Sequence, residues 1–343
     1  MDIVVLCGGL SAERDVSISS GTQVAQALRT LGHRVVLIDA YFGYTAPYSD
    51  PREIFTKPYD AVKAVVRTHE PDLEAVIHSR SGGGSSTIGP NLIQVCQAAD
   101  LVFMAMHGED GENGRLQAVF DVMGIRYTGT GYLSSAVAMN KSITKSLLAT
   151  AGVPTPPGIT VEKGRTPYAG VGFPCFVKPC SGGSSVGTSI VHTQAEYDSA
   201  LELAFRFEDA VVVEKYIKGR EFTVGVIGGK PTPVVEIIPK TGFYDYKNKY
   251  QAGCTEEICP AQIDLELTAQ IQRMAVRAAQ ALLIETYCRV DFLADDNGIY
   301  CLEANTLPGM TPTSLIPRMA GAMGLDFAQL CQLIIDESMK KYV

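Results

Sequence analysis

What these 343 residues lack narrows the function before anything present is considered. No run of Lys or Arg occurs: 29 basic residues are dispersed among 37 acidic ones, and the net charge is -8 with a pI near 5.2. Such a chain offers no electrostatic footprint to nucleic acid or to an anionic membrane. No apolar run is long enough to span a bilayer, and the chain opens on a strand-like segment at 3–6 with no charged leader or cleavable apolar stretch. No membrane insertion and a cytoplasmic location are therefore expected. The nine cysteines form no Cys-x-x-Cys pair, and Cys7, Cys288 and Cys301 lie in strand-like runs. They read as small buried hydrophobes of a reducing compartment, with no zinc or redox role. Residues 7–12, CGGLSA, do not supply the Gly-x-Gly-x-x-Gly of a nicotinamide dehydrogenase, and the Gly-rich stretch 81–91 lacks the Gly-Lys-Ser/Thr ending of a phosphate loop. That stretch reads as a surface insertion, and no internal repeat or low-complexity tract appears.

What is present is ample apolar content, 46%, arranged in three blocks. Residues 1–128 alternate strand and helix signals, with strands at 3–6, 35–38 and 101–106 and a helix through Val24, Ala27, Leu28 and Leu31 stopped by Gly32, which predicts a doubly wound α/β domain. Residues 129–216 carry a helix with Lys141 and Lys145, a Pro-rich link at 154–157 and short strands, the pattern of a small α+β domain. Residues 217–343 continue with a hairpin about Gly228 and Gly229, an amphipathic helix through Ile271, Met274, Ala278 and Leu282, a second hairpin and a C-terminal helix.

That second hairpin holds most of the chemistry. Asp295, Asp296, Asn297 and Gly298 form a turn signal, and a three-residue loop with Gly298 in the left-handed position pairs Asp295 with Ile299. This register sets Asp291 opposite Glu303 and Arg289 opposite Asn305, and puts Val290, Phe292, Leu302 and Ala304 on the other, apolar face. A two-residue turn is expected to scramble that segregation. Paired carboxylates repel unless a cation lies between them, and oxygen-only ligands suit magnesium bound together with phosphates. A solvated polar face is the plainer alternative. Residues 178–187, KPCSGGSSVG, form a second loop, whose backbone amides can approach a phosphate. Because 188–191 alternates like a strand, the loop caps a hairpin and is not a strand-to-helix phosphate loop. Lys178, and Lys141 from the preceding helix, would neutralise phosphate charge.

Together with these, the stretches 8–17 (GGLSAERDVS), 107–117 (HGEDGENGRLQ), 127–131 (YTGTG), 139–141 (MNK), 214–217 (EKYI), 219–223 (GREFT), 244–250 (YDYKNKY) and 289–317 resemble the ATP-grasp carboxylate–amine ligases, over nearly the whole chain. The resemblance implies an N-terminal α/β domain followed by an ATP-grasp pair, and ATP-dependent joining of two D-alanines through an acyl phosphate for peptidoglycan precursors. It implies that Asp291, Glu303 and Asn305 hold two Mg2+ or Mn2+ ions, and that Lys141, Lys178 and Lys249 spread positive charge along the phosphates. Arg289 and the backbone N–H of Gly309 would meet the tetrahedral oxyanion.

Glu13 would receive the first substrate's ammonium, although at a helix start it could equally stabilise the helix dipole. His107 would lie near that substrate's carboxylate, and Ser314 and Leu315 would contact the second D-alanine. Glu214, Lys215, Tyr216, Ile217 and Glu221 would bind adenine and ribose, with Ser184 and Ser185 at the phosphates. Residues 239–259 read as a long closing loop, whose Tyr250 would latch to Ser184 and Glu13 and favour a D-amino acid over D-lactate as second substrate. D-serine in that position is an alternative, as is a non-catalytic ATP-binding module. A homodimer and activation by a monovalent cation complete the expectations.

Overall fold

Six apolar-rich residues, Asp2–Cys7, form β1 and are buried from Ile3 onward, as a strand covered on both faces must be. In the computed structural model, which describes residues 1–57, 59–60, 71–80, 86–164, 171–183, 187–240 and 253–343, β1 pairs in parallel with β2 (Arg34–Asp39) on one side. The chain then adds β3 (Tyr59–Asp60) outside β2, and β4 (Leu101–Met104) on the opposite edge of β1, giving the order β3-β2-β1-β4. The direction of winding reverses between β1 and β4. In an open parallel sheet that reversal leaves a crevice at the carboxyl ends of the two strands. Glu13 follows β1 and His107 follows β4, so both come to this crevice by topology.

The middle sheet is antiparallel, in the order β5-β8-β6-β7, from β5 (Gly158–Glu162), β6 (Cys175–Pro179), β7 (Ser189–Val191) and β8 (Ala210–Lys215). β6 and β7 pair antiparallel, Val177 with Ser189, so the glycine-rich loop between them caps a hairpin as its flanks predict. The last sheet, also antiparallel, runs β12-β11-β9-β13-β14, with β10 (Lys230–Pro231) paired to β9 (Arg220–Ile227) around Gly228 and Gly229. Its other members are β11 (Val235–Pro239), β12 (Thr255–Ile258), β13 (Tyr287–Asp295) and β14 (Gly298–Asn305). Helix Leu265–Ala281 covers one face of this sheet, with Ile271, Ala275 and Ala278 against Phe222, Val290 and Phe292. Ala138 and Leu148, from helices Tyr132–Met139 and Lys141–Thr150, enter the same core. The C-terminal helices Leu315–Ala322 and Phe327–Met339 instead join the core of the first sheet, where Ile334 and Leu330 share a cluster with Leu28 and Val24.

The β13–β14 hairpin corrects the expected register in part. Arg289 pairs with Asn305, Val290 with Ala304 and Asp291 with Glu303, as the polar pattern requires. Beyond Asp291 the register shifts by one: Phe292 faces Cys301 and Asp295 faces Gly298, so the turn has two residues, Asp296 and Asn297, and not three. A bulge at Leu302 absorbs the difference, since one extra residue on one strand restores alternation on both sides of it. Leu302 therefore leaves the apolar face and lines a cleft, while Cys301, fully buried, takes its place among Phe292, Ile299 and Ala304.

Candidate active site

Two adjacent cavities share part of their lining. The first is lined by Glu13, His107 and Glu112 from the parallel sheet's loops, and by Arg289, Asn305, Gly309, Ser314 and Leu315 from the last sheet and the loop after it. The second lies between the two antiparallel sheets and is lined by Lys178, Glu214, Lys215, Tyr216, Ile217, Glu221, Asp291, Leu293 and Leu302. Lys141, Gly182, Gly183 and Glu303 line both. Every site residue expected from the sequence and described in the structure faces one cavity or the other. Ser184, Ser185, Lys249 and Tyr250 lie outside the described residues.

In the second cavity the cations are held in place by protein. The Glu214 carboxylate, almost fully buried, takes Lys145 Nζ at 2.6 Å and Lys178 Nζ at 2.5 Å, one on each oxygen. Burial alone would raise the Glu214 pKa, but the two ammonium groups outweigh it and hold it below the usual carboxylate range. Burial likewise opposes the charge on Lys178, and Glu214 overcomes it and raises its pKa. Among the described residues, no carboxylate pairs with Lys141 in the way that Glu214 pairs with Lys178. Its Nζ donates to Gly182 O at 2.5 Å, and burial lowers its pKa. The loop carrying Gly182 is anchored in turn by Glu208, whose two oxygens accept from Ser181 N at 2.8 and 2.9 Å. Glu214 thus orients Lys178 while itself lining the cleft.

Asp291 is equally committed. It accepts from Arg289 through both oxygens (2.9 and 2.8 Å), from Thr223 Oγ1 at 2.6 Å and from Asn305 Nδ2 at 3.1 Å. The register explains this network, because Asp291 lies opposite Thr223 on β9 and Glu303 on β14, with Arg289 two residues away on the same face. Asp291, Glu303 and Asn305 offer two carboxylates and an amide oxygen as ligands, which fits a hard divalent ion. Among the described residues no group of three His, Cys, Asp or Glu side chains could hold a metal by themselves, so phosphate oxygens would have to complete the shell.

In the first cavity the loop at 306–311 is stitched to the N-terminal sheet. His107 is buried, with Nδ1 at 2.8 Å from Leu307 O and Nε2 at 2.9 Å from Ser20 Oγ. A carbonyl at Nδ1 fixes a proton there, and burial lowers the pKa of the ring and so favours the neutral form, in which Nε2 accepts from the serine. Both ring nitrogens are therefore engaged within the fold. Glu112 accepts from Gly108 N at 2.8 Å and Leu307 N at 3.0 Å, and burial, reinforced by the charge of Glu13, pushes its pKa up to about 7. A Cβ at Gly309 would stand 2.8 Å from Ser314 Oγ, so a larger residue there would push that hydroxyl aside. Ser314 caps the helix Leu315–Ala322 without spending its side chain on the cap; its Oγ accepts from Thr311 N at 3.0 Å. The sequence pattern assigns no site role to Ser20, Glu112, Thr223, Lys145, Glu208 or Leu302. The first five act through contacts far apart in sequence, and the last through a bulge with no local signature.

Two antiparallel sheets gripping a lysine-lined cleft, set against an amino-acid-sized cavity on a parallel sheet, define the ATP-grasp class of ligases. Family models described as D-ala D-ala ligase N-terminus and C-terminus match residues 2–130 and 147–336. The D-alanine–D-alanine ligase of Pediococcus pentosaceus is 41% identical over 100% of this chain and 99% of its own length, and that of Syntrophotalea carbinolica is 38% identical over 97% and 94%. The crystal structure of D-alanine–D-alanine ligase from Bacillus anthracis complexed with ATP superposes with a TM-score of 0.76 at 30% identity, covering 99% of this chain and 98% of the other. The chain belongs to the D-alanine–D-alanine ligase family.

Proposed function

We propose that this protein joins two D-alanines into D-alanyl-D-alanine at the expense of ATP, through an acyl phosphate, to supply a peptidoglycan precursor. The observation that carries this reading is the shared wall: Lys141, Glu303 and the Gly182–Gly183 backbone face both cavities, so a carboxylate on one side can meet a γ-phosphoryl group on the other. ATP occupies the cleft between the antiparallel sheets, adenine beside Lys215, Tyr216 and Ile217, and phosphates between Lys141 and Lys178. Asp291, Glu303 and Asn305 would hold Mg2+ or Mn2+, which supplies charge neutralisation at the β- and γ-phosphates when bound.

Glu13 receives the first substrate's ammonium and leaves its carboxylate directed at the wall. Transfer of the γ-phosphoryl group to that carboxylate gives the acyl phosphate and ADP. The second D-alanine sits with its carboxylate at Ser314 and the adjoining helix N-terminus, and with Leu315 against its methyl group. Its amine attacks the acyl carbon, Arg289 and the Gly309 N–H stabilise the oxyanion, and phosphate leaves as the amide forms. The expected 239–259 loop is shortened by β12 at its far end; the reading extends, on resemblance alone, to closure by the segment between β11 and β12 with a latch of Tyr250, Ser184 and Glu13, to Lys249 and Ser185 at the phosphates, to a homodimer and to a cytoplasmic location. No helix among the described residues is long and apolar enough to cross a membrane.

The test is product analysis by mass spectrometry with D-alanine, D-serine and D-lactate as paired substrates, alongside ADP release with and without D-alanine. D-alanyl-D-alanine and D-alanine-dependent ADP support the reading. A mixed product with D-serine or D-lactate reassigns the second substrate, and nucleotide bound without turnover sinks the enzyme reading altogether.

A further inference from the structure

The backbone around Gly309 is held from outside its own sheet. Leu307 has both its N–H and its C=O taken by side chains of the N-terminal block: Glu112 Oε1 accepts from the N–H at 3.0 Å, and His107 Nδ1–H donates to the carbonyl at 2.8 Å. Three residues on, Met310 N donates to Ser20 Oγ at 3.1 Å, and the same serine bonds His107 Nε2. Glu112 reaches back through its other oxygen to Gly108 N, and Ser11 Oγ donates to His107 O at 2.7 Å. Pro308 and Gly309 are thus bracketed by bonds from three side chains, Glu112, His107 and Ser20, of which His107 and Ser20 are almost fully buried.

Resting on the ligase reading above, we infer that Glu112, His107 and Ser20 are positioning residues for the second chemical step: they fix residues 307–310 so that the Gly309 N–H points at the acyl carbon's oxygen. His107 then acts through Leu307, since neither ring nitrogen is left for a substrate carboxylate. The carboxylate form of Glu112 is specific to this task, because each oxygen faces a backbone N–H. A glutamine would turn its amide donor against one of them, and an unmade bond to a buried donor is costly. The residues that bind the first substrate and those that stabilise the second step are joined in this way: Glu13 begins the helix Arg14–Thr30 on which Ser20 lies.

Two measurements separate the steps. Positional isotope exchange between the β,γ-bridging oxygen and the β-non-bridging oxygens of ATP in the presence of D-alanine reads reversible acyl-phosphate formation, and dipeptide release reads the whole reaction. Glu112→Gln is expected to keep isotope exchange within about twofold of wild type and the KM for ATP unchanged, while dipeptide formation falls ~10- to 100-fold, the scale of a misplaced oxyanion donor. Ser20→Ala should show the same split to a smaller extent and serves if Glu112→Gln does not fold. Wild-type dipeptide formation in both variants, or an equal fall in exchange and in dipeptide formation, overturns the inference. A wild-type enzyme that makes no dipeptide would instead remove the ligase reading on which it rests.

Discussion

At the scale of single residues, Glu303 has the most exposed role, because it faces both cavities opposite an Asp291 whose oxygens are already shared among Arg289, Thr223 and Asn305. Glu303→Gln should keep its melting temperature yet lose phosphoryl transfer, since an amide removes the negative charge that a hard cation needs. Turnover surviving at saturating magnesium would remove Glu303 from the proposed metal ligands. Glu214 behaves differently. Deleting it leaves two buried ammonium groups facing each other, so Glu214→Ala should cost about 3 kcal/mol of stability and raise the KM for ATP. Because Lys178 and Lys145 hold its pKa down, the stability it contributes is present above the usual carboxylate pKa and is lost as pH falls through its lowered folded value. Glu112 has the opposite sign. Its pKa is raised to about 7 by burial and by Glu13, against Leu307 N, Gly108 N and Arg289, with Tyr287 also nearby. Its contribution to stability is therefore full below the ordinary carboxylate range and declines as pH rises toward about 7. Melting curves of wild type and Glu112→Gln from pH 4 to 8 should show the wild type losing ground over that interval, and parallel curves would refute the shift.

Among the elements, the β13–β14 hairpin shows how far a sequence pattern reaches. Polar alternation was enough to pair Asp291 with Glu303 and Arg289 with Asn305, because both partners have to face the same side for the chemistry to be possible. The turn is not legible in the same way, since a two-residue turn with a bulge and a three-residue turn without one satisfy the same pairing at the functional end. The consequence is testable in adjacent residues. Leu302→Ser should raise the KM for ATP with little loss of stability, whereas Cys301→Ser should destabilise by ~1–3 kcal/mol with the KM for ATP unchanged, since only the latter buries a hydroxyl in an apolar core. Reversed effects would return Leu302 to the core. The first strands, the hairpin nature of the 178–187 loop and the helix through Ile271 were legible from local periodicity and flanks. The bonds from Glu112 and His107 to Leu307 span about two hundred residues, and no local pattern announces them.

For the whole molecule, the chain's end completes its beginning. Helix Phe327–Met339 packs on helix Arg14–Thr30, and Leu330, Ile334 and Ile335 belong to one apolar cluster with Val4, Val24 and Leu28. Truncation after Gly324 should therefore unfold the N-terminal sheet along with the C-terminal block, read as loss of a cooperative melting transition by circular dichroism. An N-terminal sheet that melts independently in the truncated chain would show that the two are separate. The shared lining of the two cavities has one more consequence. Two sites that share Lys141, Glu303 and the Gly182–Gly183 backbone are close enough for one molecule to occupy both without a long tether. An inhibitor carrying an amino-acid head and a nucleotide tail would meet its second site at an effective concentration on the order of millimolar or above, so two weak halves would multiply into a tight whole.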